Sequence, residues 1–316
     1  MELSQWPVLE RLKSAKHVLL AGAGGGYDVF AAVPLYIALR ARGQRVSLAN
    51  LSFTSLSEVR ARALTPHLLE VTADTVGPSL YFPEHALALW LAARGTPESV
   101  FTFAKTGVKP LSAAWSALHR ELGFDAVVLV DGGTDILMRG DEAGLGTPSE
   151  DLSSVAAVNA LDVPLKLIVC IGFGVDTYHG VCHAHFLENV AALSREGAYL
   201  GVTALLPGMP EADAYLQAVT SATSASKYSS SIVNLSISSA IEGAFGNVQR
   251  TERTSNTELF INPLMSLCWG FELGAVARRC LYLSEILQTE DVFELVARIE
   301  AFRNRIETRP WREIPV

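Results

Sequence analysis

Short apolar runs recur along this chain, and most are followed by glycine or small polar residues and then by a stretch with helical spacing. His17–Ala21, Arg45–Leu51, Ser99–Ala104, Ala126–Val130, Pro164–Ile171 and Tyr199–Leu205 read as strands from their Val, Leu, Ile and Phe content and their brevity. Most lack polar alternation, as strands buried on both faces do. Between them, Tyr27–Arg42, Glu84–Ala93, Leu111–Leu122 and His185–Glu196 carry apolar residues at helical spacing, with Gly43, Gly123 and Gly197 as stop signals. A β-α-β alternation closes through right-handed crossovers. The expected fold class is therefore α/β, a doubly wound, mostly parallel sheet with helices on both faces.

The last third of the chain reads differently. Ala212–Gly243 predicts two helices, and the Ser-rich stretch Ser221–Ser239 within it is interleaved with Ile232, Val233, Leu235 and Ile237, as in a closely packed helix. Leu259-Phe260-Ile261 reads as a strand stopped by Asn262-Pro263, while Leu264–Leu287 and Val292–Ile306 read as long amphipathic helices. No Pro-rich linker, charge block or repeat separates this part. Residues 1–316 are expected to form a single α/β domain, with 207–316 as a helical and loop elaboration packed on the sheet.

Composition then narrows the function. A chain that is 49% hydrophobic and 18% charged buries a large core and is not mainly disordered. With 25 Lys+Arg against 33 Asp+Glu it lacks the basic stripe that a nucleic acid polymer requires, though a local cationic pocket remains compatible. No apolar run approaches the ~18–20 residues of a membrane span. Met1 to Lys16 carries Glu2, Glu10, Arg11 and Lys13 and no signal-like apolar stretch, so a cytoplasmic location is expected. Cys170, Cys182, Cys268 and Cys280 form no C-x-x-C pair, which points to reduced thiols.

In an open parallel sheet, ligands bind beyond the carboxyl ends of the strands. Gly22-Ala23-Gly24-Gly25-Gly26-Tyr27-Asp28 follows the first run, Asn50 to Thr54 the second, and Lys105-Thr106-Gly107 the third. Asp131-Gly132-Gly133-Thr134-Asp135 follows the fourth and Gly172-Phe173-Gly174-Val175-Asp176 the fifth. Glycines let backbone amides approach a ligand. The expected ligand-binding set is therefore Gly22, Gly24, Gly25, Gly26, Asp28, Asn50, Lys105, Gly132, Gly133 and Gly174.

The first loop resembles the dinucleotide fingerprint but has Tyr27 where a third small residue is required, and Asn50 near where an acidic ribose ligand belongs. NAD is accordingly not the expected cofactor, and close strand-to-helix packing is the plain alternative for the loop. Asp28, in the first helical turn, would repel a phosphate and suits a hydroxyl or a metal. Asp131 and Asp135, four residues apart across two glycines, offer oxygen ligands for Mg²⁺ or Ca²⁺, or a base to activate water. The plain alternative is that Asp131 caps a turn. The outer acids Asp141, Glu142, Glu150 and Asp151 read as solvated loop charges.

Three of the seven histidines, His179, His183 and His185, follow Asp176 closely. His179 and His183 would share a helix face, a spacing that suits a Zn²⁺ pair. Gly180 and the lack of an H-E-x-x-H motif weigh against zinc. His179, His183 and Asp176 remain candidates for proton transfer. Arg250 and Arg253 form a candidate clamp for a phosphate or carboxylate, with Asn262 a further ligand contact at a strand end. Among familiar catalytic motifs, Ser224-Ala225-Ser226-Lys227 and Lys105-Thr106-Gly107 are chance matches in the wrong order, and no phosphate loop or nucleophile elbow is present.

The Gly22–Asp28 loop, the Asp131–Asp151 run and Asn262-Pro263-Leu264 together resemble the domain-of-unknown-function family 1152. The resemblance implies a Rossmann-like α/β fold and carries no established activity. The residues themselves predict a small-metabolite enzyme that binds a ribosyl- or phosphate-bearing ligand at the carboxyl rim. Hydrolysis or group transfer would be assisted by Asp131 and Asp135, with a divalent ion as candidate cofactor. A non-catalytic nucleotide-binding or sensor module and a dinucleotide- or adenosylmethionine-dependent enzyme are the alternatives. The apolar C-terminal helices either pack inside or form a homo-oligomer interface.

Overall fold

All seven strands read from the sequence form, and four more join them among the described residues. The computed structural model describes residues 6–225, 230–250 and 259–314. In chain order the strands are β1 (His17–Gly22), β2 (Arg45–Ser52), β3 (Arg62–Thr65), β4 (Leu68–Val71), β5 (Val100–Ala104) and β6 (Ala126–Gly132). After these come β7 (Leu165–Ile171), β8 (Tyr199–Ala204), β9 (Gly246–Asn247), β10 (Phe260–Ile261) and β11 (Leu267–Glu272). Nine of them build one sheet in the order β3-β4-β5-β2-β1-β6-β7-β11-β8, and β9 pairs with β10. The five strands from β5 to β7 run parallel to one another, while β4 and β11 run against them, pairing antiparallel with the edge strands β3 and β8.

β1 is buried along its whole length, and its side chains alternate between two cores. Leu19 and Ala21 pack with helices Val108–Leu122 and Pro148–Asn159, and Val18 and Leu20 with the helices of 28–41 and Pro210–Ala225. Helices thus cover both faces, the condition under which a parallel sheet's apolar runs are stable. The strand order reverses between β1 and β6, so the crevice beyond their carboxyl ends opens there. The four cysteines are free and buried. No helix among the described residues is long and apolar enough to cross a membrane.

Three expectations need correction. The helix expected over Tyr27–Arg42 is two helices, Asp28–Ala31 and Val33–Ala41, with Pro34 in the first turn of the second. A proline lacks the N–H needed inside a helix, and the chain re-enters at Ala32. His179 and His183 do not share a helix face, because Val175–His179 is a short 3₁₀ turn closed by left-handed Gly180 and a new helix starts at His183.

The long helix expected over Leu264–Leu287 resolves into a 3₁₀ turn, β11 and helices Leu273–Arg279 and Leu283–Ile286. Its apolar residues run on into the following helix, which hides the change of period. The β3–β4 hairpin leaves no legible pattern, because each strand spans only four residues.

β11 holds β7 and β8 together, and Phe271 is its fully buried anchor, with ring contact to Tyr199. Phe271→Ala should lower unfolding free energy by about 3–5 kcal/mol, read as a shifted midpoint in urea unfolding. An unchanged midpoint would contradict the burial of β11.

Candidate functional site

Loops after β1, β6 and β7 meet at the crevice, and they bring five aspartates together. Asp131 lies at the end of β6, Asp135 opens the 3₁₀ turn Asp135–Leu137, and Asp176 sits in the turn after β7. Asp28 begins the helix after the glycine loop, and Asp151 lies in the first turn of Pro148–Asn159. Asp131 is 2% exposed and Asp151 is fully buried.

Bare backbone lets the carboxylates in. A methyl group on Gly24 would stand 2.7 Å from Asp151 Oδ1 and 2.8 Å from Asp28 Oδ2, and one on Gly132 would stand 2.9 Å from Asp28 Oδ1. The Gly24 amide donates to Asp28 Oδ2 at 2.7 Å. That amide, a candidate donor for a ligand's anion, already holds a carboxylate of the chain itself.

Each aspartate has a different degree of satisfaction. Asp135 Oδ2 accepts from the Thr147 amide at 2.6 Å and from Thr147 Oγ1 at 2.8 Å. The same hydroxyl stands 3.0 Å from Asp151 Oδ2, and its one hydrogen serves only one of the two, so a protonated carboxyl completes the other bond. Asp176 Oδ2 accepts from the Thr134 amide at 2.5 Å. Among the described residues Asp131 accepts only a long bond, from the Ile136 amide at 3.4 Å. Among the described residues no lysine or arginine pairs with any of the five; Lys105 pairs with Glu150, and Arg139 and Arg309 pair with Asp141.

Burial and mutual repulsion hold the carboxyls protonated well beyond their ordinary range. Asp28 is pushed up to about 8, by burial first and then by the charge of Asp135. Asp131, Asp151 and Asp176 are raised by burial and then chiefly by neighbouring aspartates. Asp135 is also raised by burial, against the opposing bonds from Thr147.

The cleft above it has a volume of about 330 Å³. Of the residues expected from sequence, Gly24, Gly25, Gly26, Asp28, Asp131, Gly132, Asp135, Asp176 and His179 line it. Tyr27, Phe53, Tyr81 and Tyr178 give it aromatic walls. A second cleft of about 280 Å³ collects Gly174, His183 and Asn262 instead; there His183 Nε2 lies 2.8 Å from Thr177 Oγ1. A larger hollow of about 420 Å³, beside Val76, Leu80 and His85, contains no carboxyl group.

The remaining candidates lie elsewhere. Gly22 sits behind the loop against Asn50, and Gly133 is bridged to Ile171 with the Asp176 carboxylate close by. Asn262 caps a turn through the Leu264 amide at 3.0 Å, and Arg250 pairs with Glu242. Lys105 lies 5.4 Å over the Phe53 ring, at the edge of the cleft. Arg253 lies outside the described residues.

Residues 54–308 match the family described as Protein of unknown function (DUF1152). The chain belongs to that family. The matched span takes in β6, Asp131, Asp135, Asp151 and Asp176, and begins after the Gly22–Asp28 loop. No curated relative matches the chain.

Several site residues give no clear sign of themselves in the sequence. Asp151, Glu142 and Glu150, read as solvated charges, are all buried. Glu142 accepts from the amides of Arg139 and Gly140 and from Asn189 Nδ2, and so shapes its own loop. A signal for Asp151 is present in Thr147-Pro148, a helix-start pair that puts the acids at 150 and 151 in a first turn facing the rim.

Glu84 is another such residue: buried, it accepts from Asn50 Nδ2 at 2.6 Å, and the same amide donates to Gly26 O at 2.8 Å, pinning the glycine loop.

Burial pushes Glu84 up to about 7 against the opposing Asn50 bond. A carboxyl raised on folding contributes stability that is complete below its unfolded value and is lost as pH rises through the folded one. Glu84→Gln should therefore be near neutral at pH ~4 and should stabilise by up to about 3 kcal/mol at pH ~8. Melting temperatures of both proteins across that range test this, and parallel curves would contradict it.

Proposed function

We propose that this protein binds a ribosyl-bearing small metabolite in the 330 Å³ cleft and catalyses hydrolysis or group transfer on it. The observation that carries the reading is the meeting of five aspartates, with no lysine or arginine paired to them among the described residues, beneath aromatic walls. Carboxylates accept hydrogen bonds from sugar hydroxyls, and aromatic faces stack on a base or sugar ring. An acidic floor repels a bare phosphate, so the hydroxyl-bearing part of the ligand belongs against the aspartates and any phosphate towards the rim.

Asp131 takes the central role, because it lines the cleft with only one long hydrogen bond on its carboxylate among the described residues. It activates the attacking nucleophile. Asp135, already bound by Thr147, and Asp176, bound by Thr134, position the loops around it. His179, exposed at the mouth of the same cleft, passes the proton to solvent or to the leaving group. Four free cysteines fit a reducing, cytoplasmic setting.

The first test is thermal shift with adenosine, ribose 5-phosphate, NAD and adenosylmethionine, followed by product analysis for each compound that binds. Saturation at 100 times the dissociation constant adds about 2.7 kcal/mol, which a melting curve resolves. Asp131→Asn should keep ligand binding while lowering turnover by about 10²-fold or more. Binding without product would favour the sensor alternative. A response to adenosylmethionine alone would favour the cofactor-dependent one, and no response at all would remove the ligand reading.

A further inference from the structure

Asp28, Asp131 and Asp151 each offer a carboxylate oxygen, and these oxygens lie within 4.8 Å of one another. The grouping differs from the Asp131–Asp135 pair expected from sequence. Asp135 directs Oδ2 at the amide and hydroxyl of Thr147, whereas Asp151 directs Oδ1 elsewhere. Asp151 is fully buried, and its Oδ1 has no hydrogen-bond partner among the described residues. A point above Gly24 lies 2.7 Å from that oxygen and 2.8 Å from Asp28 Oδ2, so the unpartnered atom faces the Asp28 carboxylate.

A buried carboxylate oxygen without a donor has lost its hydration and gained nothing in exchange. One proton satisfies one such oxygen; one cation placed between three satisfies all of them and cancels their repulsion together.

From this convergence we infer that Asp28, Asp131 and Asp151 form a binding site for one hard divalent cation of the Mg²⁺, Mn²⁺ or Ca²⁺ type. The donor set decides the class. It consists of oxygens alone, which suits hard cations and disfavours zinc or copper. Two oxygens on opposite sides of Ca²⁺ stand roughly 4.6–5.2 Å apart and on Mg²⁺ about 4.2 Å, so oxygens within 4.8 Å of one another lie in the range Ca²⁺ spans, and Mg²⁺ would draw them closer.

Thr147 serves as the outer support, since its hydroxyl lies against Asp151 Oδ2 and turns the other oxygen inward. Asp28 lines the cleft, so a cation there meets the ligand and keeps coordination positions open for water or substrate. For its use the inference rests on the reaction proposed above, with the cation as the means by which Asp131 activates a nucleophile; for its existence it does not.

The test is Mn²⁺ binding to the full chain without substrate, read from loss of the free-ion electron paramagnetic resonance signal, with Mg²⁺ and Ca²⁺ as competitors. One Mn²⁺ per chain is expected. Asp151→Asn and Asp28→Asn should each weaken binding about 10-fold or more, while Asp141→Asn, outside the cluster and paired with Arg309, should stay within about threefold. Asp151→Asn removes a buried charge and retains an oxygen, and circular dichroism with a melting curve confirms that each variant is folded.

No uptake at millimolar Mn²⁺, or uptake indifferent to Asp28→Asn and Asp151→Asn, overturns the site. Uptake without turnover of any metabolite leaves the site standing and removes the reaction. Turnover that survives chelation removes the cation's role and leaves the reaction.

Discussion

Mutual repulsion among buried carboxylates is the constraint on which the rest of this structure turns. Asp28, Asp131, Asp135, Asp151 and Asp176 come from four separate segments and meet where the strand order reverses. Left in water they would separate. They stay because every segment carrying one is anchored in a core, and because Gly24, Gly132 and Gly133 present no side chain to keep them apart. Burial first, and then for all but Asp135 the repulsion of neighbouring aspartates, raises their proton affinity.

A rim under such stress needs a stiff base, and the sheet supplies it. β1 and β6, the strands that carry the glycine loop and Asp131, lie side by side in the middle of nine, fully buried, with cores on both faces. Side-chain bonds then tie the loops down locally. Thr147 links the helix Pro148–Asn159 to Asp135, Thr134 holds Asp176, and Asn50 with Glu84 pins Gly26. Arg303 donates to the carbonyls of Gly140 and Glu142, so the C-terminal helix braces the loop that leads to Thr147.

The fold is largely legible because buried parallel strands leave an unmistakable mark: runs such as Val127-Val128-Leu129-Val130 have no polar alternation to confuse with a helix. β11 is not legible, since Leu-Cys-Trp-Gly-Phe-Glu merges with the apolar helix behind it. For the site, Asp28, Asp131, Asp135, Asp176 and His179 are found by their place after strands, and they line one cleft. His183, Asn262 and Gly174 satisfy the same rule yet belong to a neighbouring one. Position after a strand places a residue on the rim but not at a particular point along it.

By itself the chain's order of residues determined the alternation of strands and helices, the apolar filling of both cores, and the glycine and aspartate content of the rim. These are local properties, written in periodicity and in the few residues that close each apolar run. Tertiary structure alone decided which carboxylates meet, turned Asp151 from an apparent surface charge into a buried group beside Asp28, and withdrew Asp135 onto Thr147. The reason is physical. Repulsion, desolvation and chelation depend on distances of a few ångströms between segments far apart in the chain, and nothing in one segment's spacing records where another will lie.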